Sequence, residues 1–325
     1  MASNNSSTIL LPHPDADAAT QWAFLEEGLH HMMNEPQKVP YPKYMSLYTV
    51  SYNYCTTLKI HGGGKPNEVR DGSFMGRDLY EKVTDFLEKY LDTLKAASES
   101  LRDDELLRYY MKEWDRYTAG AQYMNRLFTY LNRHWVKPQR DRGKEGVYPV
   151  YILALVQWGT HFLPHIQSDR SKFTRATLRL VERHRKGQEA DQTLVKKVVD
   201  TLLSLGIDET DLQKTTLVEY QEHFETAFLR ATEKHYDAEA ENFLAENTLI
   251  DYVKKVEEWL RVEGERADRD LDASTKKPLM STCKGVLIQR HRKRIEEGVQ
   301  SLADHEEEDV QRMHALLART SDVLA

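Results

Sequence analysis

Apolar residues recur every three or four positions over long stretches of this 325-residue chain. That spacing places them on one side of an amphipathic helix. The clearest stretches are 79–94, 194–205, 217–228 and 249–260. The alternation typical of strands is nearly absent, and only 15 Gly and 10 Pro interrupt the chain. The pattern predicts an all-α fold in which helices with short connections stack into an elongated, α-solenoid-like stalk.

The composition argues against several classes of protein. Lys and Arg total 45 against 52 Asp and Glu, a net charge of −7, whereas a nucleic-acid binder needs a basic surface. The two cysteines, Cys55 and Cys283, are too few for a disulfide framework or a four-cysteine zinc site. No apolar run approaches the roughly 20 residues of a membrane-spanning helix. Neither nucleic acid nor membrane is therefore an expected partner.

No motif indicates catalysis, a metal or a cofactor. His161 and His165 have the i, i+4 spacing of zinc ligands, but no Glu follows His161 and Pro164 intervenes. The Gly-rich segment 61–66 lacks the pattern of a phosphate loop and is interpreted as a flexible connection between helices. The basic run 289–294 is read as a solvated helix face, with an acidic-partner surface or nuclear import signal as the alternative.

The segment 44–58 carries apolar and aromatic side chains around most of a helix. Leu47, Val50, Tyr54 and Leu58 share one face in a helical projection. The adjoining face, here named the tyrosine face, holds Tyr44, Met45, Tyr48 and Tyr52, with Cys55 beside them. This helix either lies in the middle of a helical domain or packs one face inward and presents the tyrosine face to a partner. Tyr and Met are enriched at interface cores, which favours a partner.

A second helix, predicted over 121–136, offers a matching edge. Its core stripe consists of Tyr123, Met124, Leu127, Phe128, Leu131 and Trp135. Arg126, Tyr130 and Arg133, the arginine–tyrosine ridge, follow at i, i+4 and i+7 beside that stripe. The ridge is either a solvated face or the polar border of an interface.

Two motifs carry a resemblance to a known family. Residues 44–56, YMSLYTVSYNYCT, closely resemble the second helix of cullins, the scaffolds of ubiquitin ligases. Residues 130–136, YLNRHWV, continuing to 146–148 and 153–158, resemble the fifth helix and the segment after it. Weaker similarity continues through 178–182, 216–228 and 243–260. The similarity covers most of the chain.

The resemblance implies a curved stalk of helical cullin repeats. It divides the chain into a disordered tail at 1–18, a first repeat at 19–146, a second at 147–272 and part of a third at 273–325. The C-terminal half of cullins, which binds the RING-box protein and recruits the ubiquitin-loaded E2, has no counterpart here. We therefore expect a non-catalytic scaffold arm that cannot promote ubiquitin transfer alone, in a cytoplasmic and nuclear protein.

The resemblance also implies partners. In the SCF branch of the family, the second and fifth helices dock a Skp-type adaptor that carries an F-box substrate receptor. Matching the motifs residue by residue assigns adaptor contact to Tyr44, Met45, Tyr48 and Tyr52 on the second helix, and to Tyr130 and Arg133 on the fifth. Arg126 is added from the helical projection. A Cand-type exchange factor is expected to compete for the same surface.

Two other functions remain open. One is a helical-repeat module for another adaptor, such as a BTB-type protein; the string Tyr-Asn-Tyr-Cys-Thr at 52–56 favours the Skp-type branch by resemblance. The other is an all-α enzyme with a metal-bound acidic cluster. Leu107 stands where the acidic stretch 103–105 would need another acidic residue, which argues against such an enzyme.

Overall fold

The computed structural model describes residues 11–56, 72–302 and 307–319. Within these ranges the chain is helical, apart from connections and one isolated β-bridge between Ile207 and Thr215. The all-α prediction is thereby confirmed. The Gly-rich segment 61–66 lies outside the described residues, as does 1–10 of the predicted tail. Contacts between residues divide the chain into two compact units.

The first unit extends to Phe173 and also includes Ile207–Thr215. Its helices are α1 (Ala18–Asn34), α2 (Tyr41–Thr56), α3 (Gly72–Ser98), α4 (Asp103–Leu127), α5 (Thr129–Leu131), α6 (Lys137–Asp141), α7 (Val150–Gln157) and the start of α8 (Leu163–Arg185). A 3₁₀ turn at Pro36–Lys38 and π-helical turns at Asn132–Val136 and Trp158–Phe162 lie between them. The backbone of α8 is non-helical at residues 168–171, close to the unit boundary.

The second unit comprises Thr174–Gly206 and the residues from Thr216 onward. It contains the rest of α8, then α9 (Gln192–Leu205), α10 (Val218–Tyr220), α11 (Thr226–Glu246), α12 (Leu249–Asp270), α13 (Ala273–Lys284), α14 (Arg292–Leu302) and α15 (Glu307–Ala318). Two further π-helical turns lie at Gln221–Glu225 and Gly285–Gln289. The sequence-predicted repeat boundaries at 147 and 273 stay predictions, because packing contacts do not mark sequence repeats.

Aromatic side chains form the centre of the first unit. The indole of Trp158 is fully buried and its Nε1 donates to the Tyr110 hydroxyl at 3.0 Å. Tyr117, also fully buried, donates to the backbone carbonyl of Ala154 at 2.9 Å. Both hydroxyls thus have partners, so these large rings contribute apolar area without leaving unsatisfied polar groups. They join α4 to α7 and to the π-helical turn that follows α7.

Helix α1 packs closely against both α2 and α4. At Gly120 in α4, an added Cβ would lie 3.0 Å from the backbone Cα of Met33 and 2.6 Å from its sulfur. At Gly28 in α1, an added Cβ would lie 2.6 Å from Leu47 Cδ1 in α2. The absence of a side chain at these two glycines lets α1 approach both neighbours closely. α1 itself begins at Ala18, where Asp17 Oδ1 accepts from Thr20 N at 2.7 Å as an N-cap.

A buried ionic cluster joins α8, α11 and α12 in the second unit. The guanidinium of Arg185 makes a bidentate contact with the fully buried Glu263, at 3.0 and 2.9 Å. Tyr236 donates to the same carboxylate at 3.0 Å, and Arg266 Nε does so at 3.2 Å. Burial would raise the pKa of Glu263, but the charges of Arg185 and Arg266 and these hydrogen bonds outweigh it and hold the pKa at about 2.

Candidate protein-binding site

Helix α2 buries one face and exposes another. Pro42 lies in its first turn, where the missing N–H costs no helical bond, and Tyr44 N donates to the Pro40 carbonyl at 3.0 Å. Leu47, Val50 and Tyr54 are buried, as their helical spacing predicted. Leu58, predicted on the same face, lies outside the described residues. The Tyr54 hydroxyl donates to the Asp78 carboxylate of α3, which ties the buried face to its neighbour.

The opposite side of α2 exposes large apolar groups. Met45 and Tyr52 of the tyrosine face are 39% and 44% exposed, while Tyr44 and Tyr48 are half-buried along its edge. Tyr41, at 74%, lies one turn before Met45 on the same side and was not included among the predicted contact residues. Its i, i+4 relation to Met45 was the signal that could have added it. Contiguous exposed apolar groups of this kind mark interaction sites.

The arginine–tyrosine ridge does not lie on one continuous helix. α4 ends at Leu127, Phe128 has a non-helical backbone, and the chain resumes as α5 and the π-helical turn. The prediction of an unbroken helix over 121–136 is therefore wrong. Arg126 belongs to the end of α4, Tyr130 to α5 and Arg133 to the π-helical turn. Both arginines are nonetheless exposed and Tyr130 is half-buried.

Two asparagines hold this interruption in place. Asn132 Nδ2 donates to Asn125 Oδ1 at 2.9 Å. The same Asn125 oxygen accepts from Tyr151 N at 3.2 Å, and Asn132 Oδ1 accepts from Val150 N at 3.1 Å. Their side chains thereby satisfy two N–H groups in the first turn of α7, where Pro149 at the N-cap provides no side-chain bond. The ridge is consequently anchored on both sides of its break.

The structure joins the tyrosine face to the ridge. The rings of Tyr52 and Tyr130 meet edge to face, with centroids 4.9 Å apart. The His134 ring lies 4.3 Å from Tyr130 and extends the aromatic surface. This exposed histidine was another residue that the sequence analysis missed. Two elements distant in sequence therefore present one continuous aromatic surface.

The pKa shifts of two tyrosines reflect the same proximity. Burial raises the pKa of Tyr44, and the positive charge of nearby Arg126 counteracts it. Burial likewise raises the pKa of Tyr130, with Tyr52 and Cys55 acting in the same direction. Both hydroxyls stay protonated at neutral pH and can donate or accept hydrogen bonds.

The seven predicted residues therefore occupy one region of the first unit, with different degrees of contact among them. The structure brings Tyr52 against Tyr130 and Tyr44 near Arg126. Met45 and Tyr48 are accessible on α2, and Arg133 is accessible on the π-helical turn that follows Tyr130. An aromatic centre with cationic groups at its border can bind a protein surface that offers apolar side chains and acidic or polar groups.

Across residues 11–56, 72–302 and 307–319, no group of three or more His, Cys, Asp or Glu side chains is arranged to hold a metal ion. No helix in this part of the chain has the length and apolarity needed to cross a membrane.

Comparison with known proteins gives the family. The Cullin alpha solenoid domain matches residues 22–325. Cullin-1 of Dictyostelium discoideum is 35% identical over 304 residues, covering 92% of this chain and 39% of that protein. Cullin-1 of Schizosaccharomyces pombe is 33% identical over 306 residues, covering 93% and 40% respectively. Cell division control protein 53 of Saccharomyces cerevisiae is 29% identical over 326 residues, covering 95% and 39%.

The chain thus spans about two fifths of the length of these relatives. The family match extends over both contact-defined units and agrees with the helical architecture. The resemblance of the two sequence motifs and the α-solenoid prediction are confirmed together. This chain belongs to the cullin family.

Proposed function

We propose that this chain is a non-catalytic scaffold segment of an SCF-type cullin-RING ubiquitin ligase. In this proposal the tyrosine face and the arginine–tyrosine ridge together form the docking face for a Skp-type adaptor that carries an F-box substrate receptor. Relatives named Cullin-1 in three organisms support the choice of branch. A rigid scaffold serves ubiquitin transfer because the substrate receptor and the ubiquitin-loaded enzyme must be held in a productive geometry.

The observation that carries the proposal is the contact between Tyr52 and Tyr130. It makes one surface from two separate elements, and exposed Met45 lies on the same side of α2 as Tyr52. Burying such a surface against an adaptor removes apolar area from water at little cost in side-chain entropy, because tyrosine has few rotatable bonds. Arg126 and Arg133 would then meet acidic or polar groups of the adaptor at the rim.

Two further partners are part of this proposal. A Cand-type exchange factor would compete with the adaptor for the docking face. The RING-box protein would join the ligase through the C-terminal half of a cullin, which does not correspond to this segment. Both expectations follow from membership of the cullin family.

The decisive experiment is calorimetric titration of the chain with a purified Skp-type adaptor–F-box complex. Tyr44→Ala and Met45→Ala should each cost about 1–3 kcal/mol of binding free energy, as central interface side chains do. The double variant should thus bind at least tenfold more weakly. The matched control is Ser46→Ala/Asn53→Ala, which changes two half-buried residues on the other flank of α2 and should alter affinity less than twofold.

Equal affinity of the Tyr44→Ala/Met45→Ala variant and the parent would show that the docking face has been placed wrongly. Absence of binding by the parent would reject the Skp-type adaptor itself. A BTB-type adaptor titrated in the same way would then test the remaining scaffold function.

A further inference from the structure

A groove runs between α8 and α11 in the second unit. Its volume is about 530 Å³, and residues of the second unit alone line it. None of them belongs to the docking face proposed above. Cavities of roughly 300–1,000 Å³ are typical of ligand sites, so the groove is large enough to hold a segment of a partner.

Small and apolar side chains form the floor of this groove. Ala231 and Ala238 are separated by two helical turns on α11, and Leu178 and Val181 face them from α8. The lining of α11 continues to Asn242, eleven residues after Ala231. At 1.5 Å per residue the groove is about 16 Å long, which matches about five residues of an extended peptide.

Positive charge dominates the walls. The lining includes five cationic side chains, Arg175, Arg179, Arg185, Lys186 and Lys234, and two acidic ones, Glu182 and Glu239. This excess stands out on a chain whose net charge is −7. It gives the groove a local positive potential that attracts anionic groups.

Some of these charges are already neutralised within the protein. Lys186 pairs with Glu182 at 2.7 Å, and Arg185 pairs with the buried Glu263. In the described part of the chain, the exposed Arg175 and Lys234 form no ion pair with an acidic side chain. One lies on each helix, so opposite walls of the groove each offer a cation to an incoming ligand.

We propose that this groove binds an acidic peptide segment of a partner protein. Carboxylates of the peptide pair with Arg175 and Lys234, and a small apolar side chain between them packs on Ala231 and Ala238. The apolar floor favours a peptide over a free phosphate ion, which would leave the floor in contact with water. The short basic groove on an acidic chain also disfavours nucleic acid, whose binding requires many phosphate contacts. The proposal does not depend on the adaptor-docking function.

The test is fluorescence anisotropy with a defined probe, a fluorescein-labelled peptide of four glutamates around a central valine. The complete chain is titrated at low salt. Arg175→Glu/Lys234→Glu should weaken binding at least tenfold. The control Lys277→Glu/Lys293→Glu makes the same change in net charge at exposed positions of the second unit outside the groove, and should weaken binding less than twofold.

A second variant tests the floor without changing charge. Ala238→Gln places a longer neutral side chain in the groove and should also reduce affinity at least tenfold, while circular dichroism shows an intact helical fold. Failure of the parent chain to bind the probe would overturn the proposal. So would equal weakening by the groove and control pairs, or equal binding of a probe with glutamine in place of glutamate. Displacement by inorganic phosphate as effective as by unlabelled peptide would reject the peptide assignment in favour of a small-anion site.

Discussion

The carboxylate of Glu263 links three helices of the second unit through hydrogen bonds. It accepts hydrogen bonds from Arg185, Tyr236 and Arg266, which come from three helices, and is fully buried. A buried ion pair adds little net stability compared with well-packed apolar residues, but removing one partner leaves a charge uncompensated. Loss of the carboxylate charge, whether by mutation or by protonation, therefore leaves Arg185 and Arg266 without their buried partner.

Glu263→Gln should lower the free energy of unfolding at pH 7 by about 3 kcal/mol, from the pKa difference between the folded and unfolded states. The pKa of Glu263 is lowered in the folded protein from 4.5 to about 2. Its stabilising contribution is therefore complete above pH 4.5 and is lost as the pH falls toward 2. Urea unfolding at a series of pH values should show parent and variant converging over that window.

The matched control for this prediction is Glu265→Gln on the same helix. The Glu265 side chain is 61% exposed and pairs with Arg261 at the surface. Its loss should change stability by less than about 1 kcal/mol at any pH. A Glu263→Gln variant as stable at pH 7 as this control would contradict the role assigned to the buried cluster.

At the scale of elements, the position of α2 depends on the close contact between α1 and α4. Gly120→Ala should destabilise the chain by about 1–3 kcal/mol, because the new methyl group meets the backbone of Met33 and separates the two helices. The measurement is the urea midpoint at constant m-value. Gly264→Ala in α12 is the control; its Cβ would meet no atom within 4 Å, so it should leave stability unchanged or raise it by up to about 1 kcal/mol. Equal effects of the two substitutions on stability would show that α1 and α4 can accommodate a methyl group at position 120 without loss of packing.

The sequence was sufficient to group the residues of α2 into faces, but not to predict the breaks between elements. Helical spacing placed Leu47 and Val50 on one face and Met45 and Tyr52 on another. It left open whether the second face was buried, and the structure shows Met45 and Tyr52 exposed. The interruption at Phe128 and the following π-helical turn could not be predicted from the spacing of apolar residues. A π turn shifts the register by one residue, and periodicity alone cannot distinguish it from a continuing helix.

Interactions between distant residues were also beyond the reach of sequence patterns. Arg185 and Glu263 are separated by 78 positions. In its local sequence, each has the pattern of a charged residue on an amphipathic helix, so their pairing could not be predicted. The groove between α8 and α11 depends equally on a tertiary pairing of helices. The adaptor-contact residues came from a combination of helical projection and family resemblance, and their role stays a prediction until binding is measured.

At the scale of the whole molecule, the chain divides into two contact-defined units. We therefore expect a destabilising substitution in one unit to increase hydrogen exchange in that unit and not in the other. Hydrogen exchange measured by mass spectrometry should show faster exchange of α11 and α12 in Glu263→Gln, with α2 and α4 unchanged. Gly120→Ala should give the reverse distribution. An equal rise in exchange throughout the chain in either variant would mean that the two units open as one.

The asparagine pair has a consequence for the order in which the chain acquires structure. Helix α7 starts without a local cap, and the groups that complete its first turn come from Asn125 and Asn132. During synthesis both asparagines leave the ribosome before Val150 and Tyr151 do. The acceptors for α7 are therefore synthesised before the helix that uses them. The segment that presents Tyr130 and Arg133 is thus tied by these hydrogen bonds to the first turn of the helix that follows it in sequence.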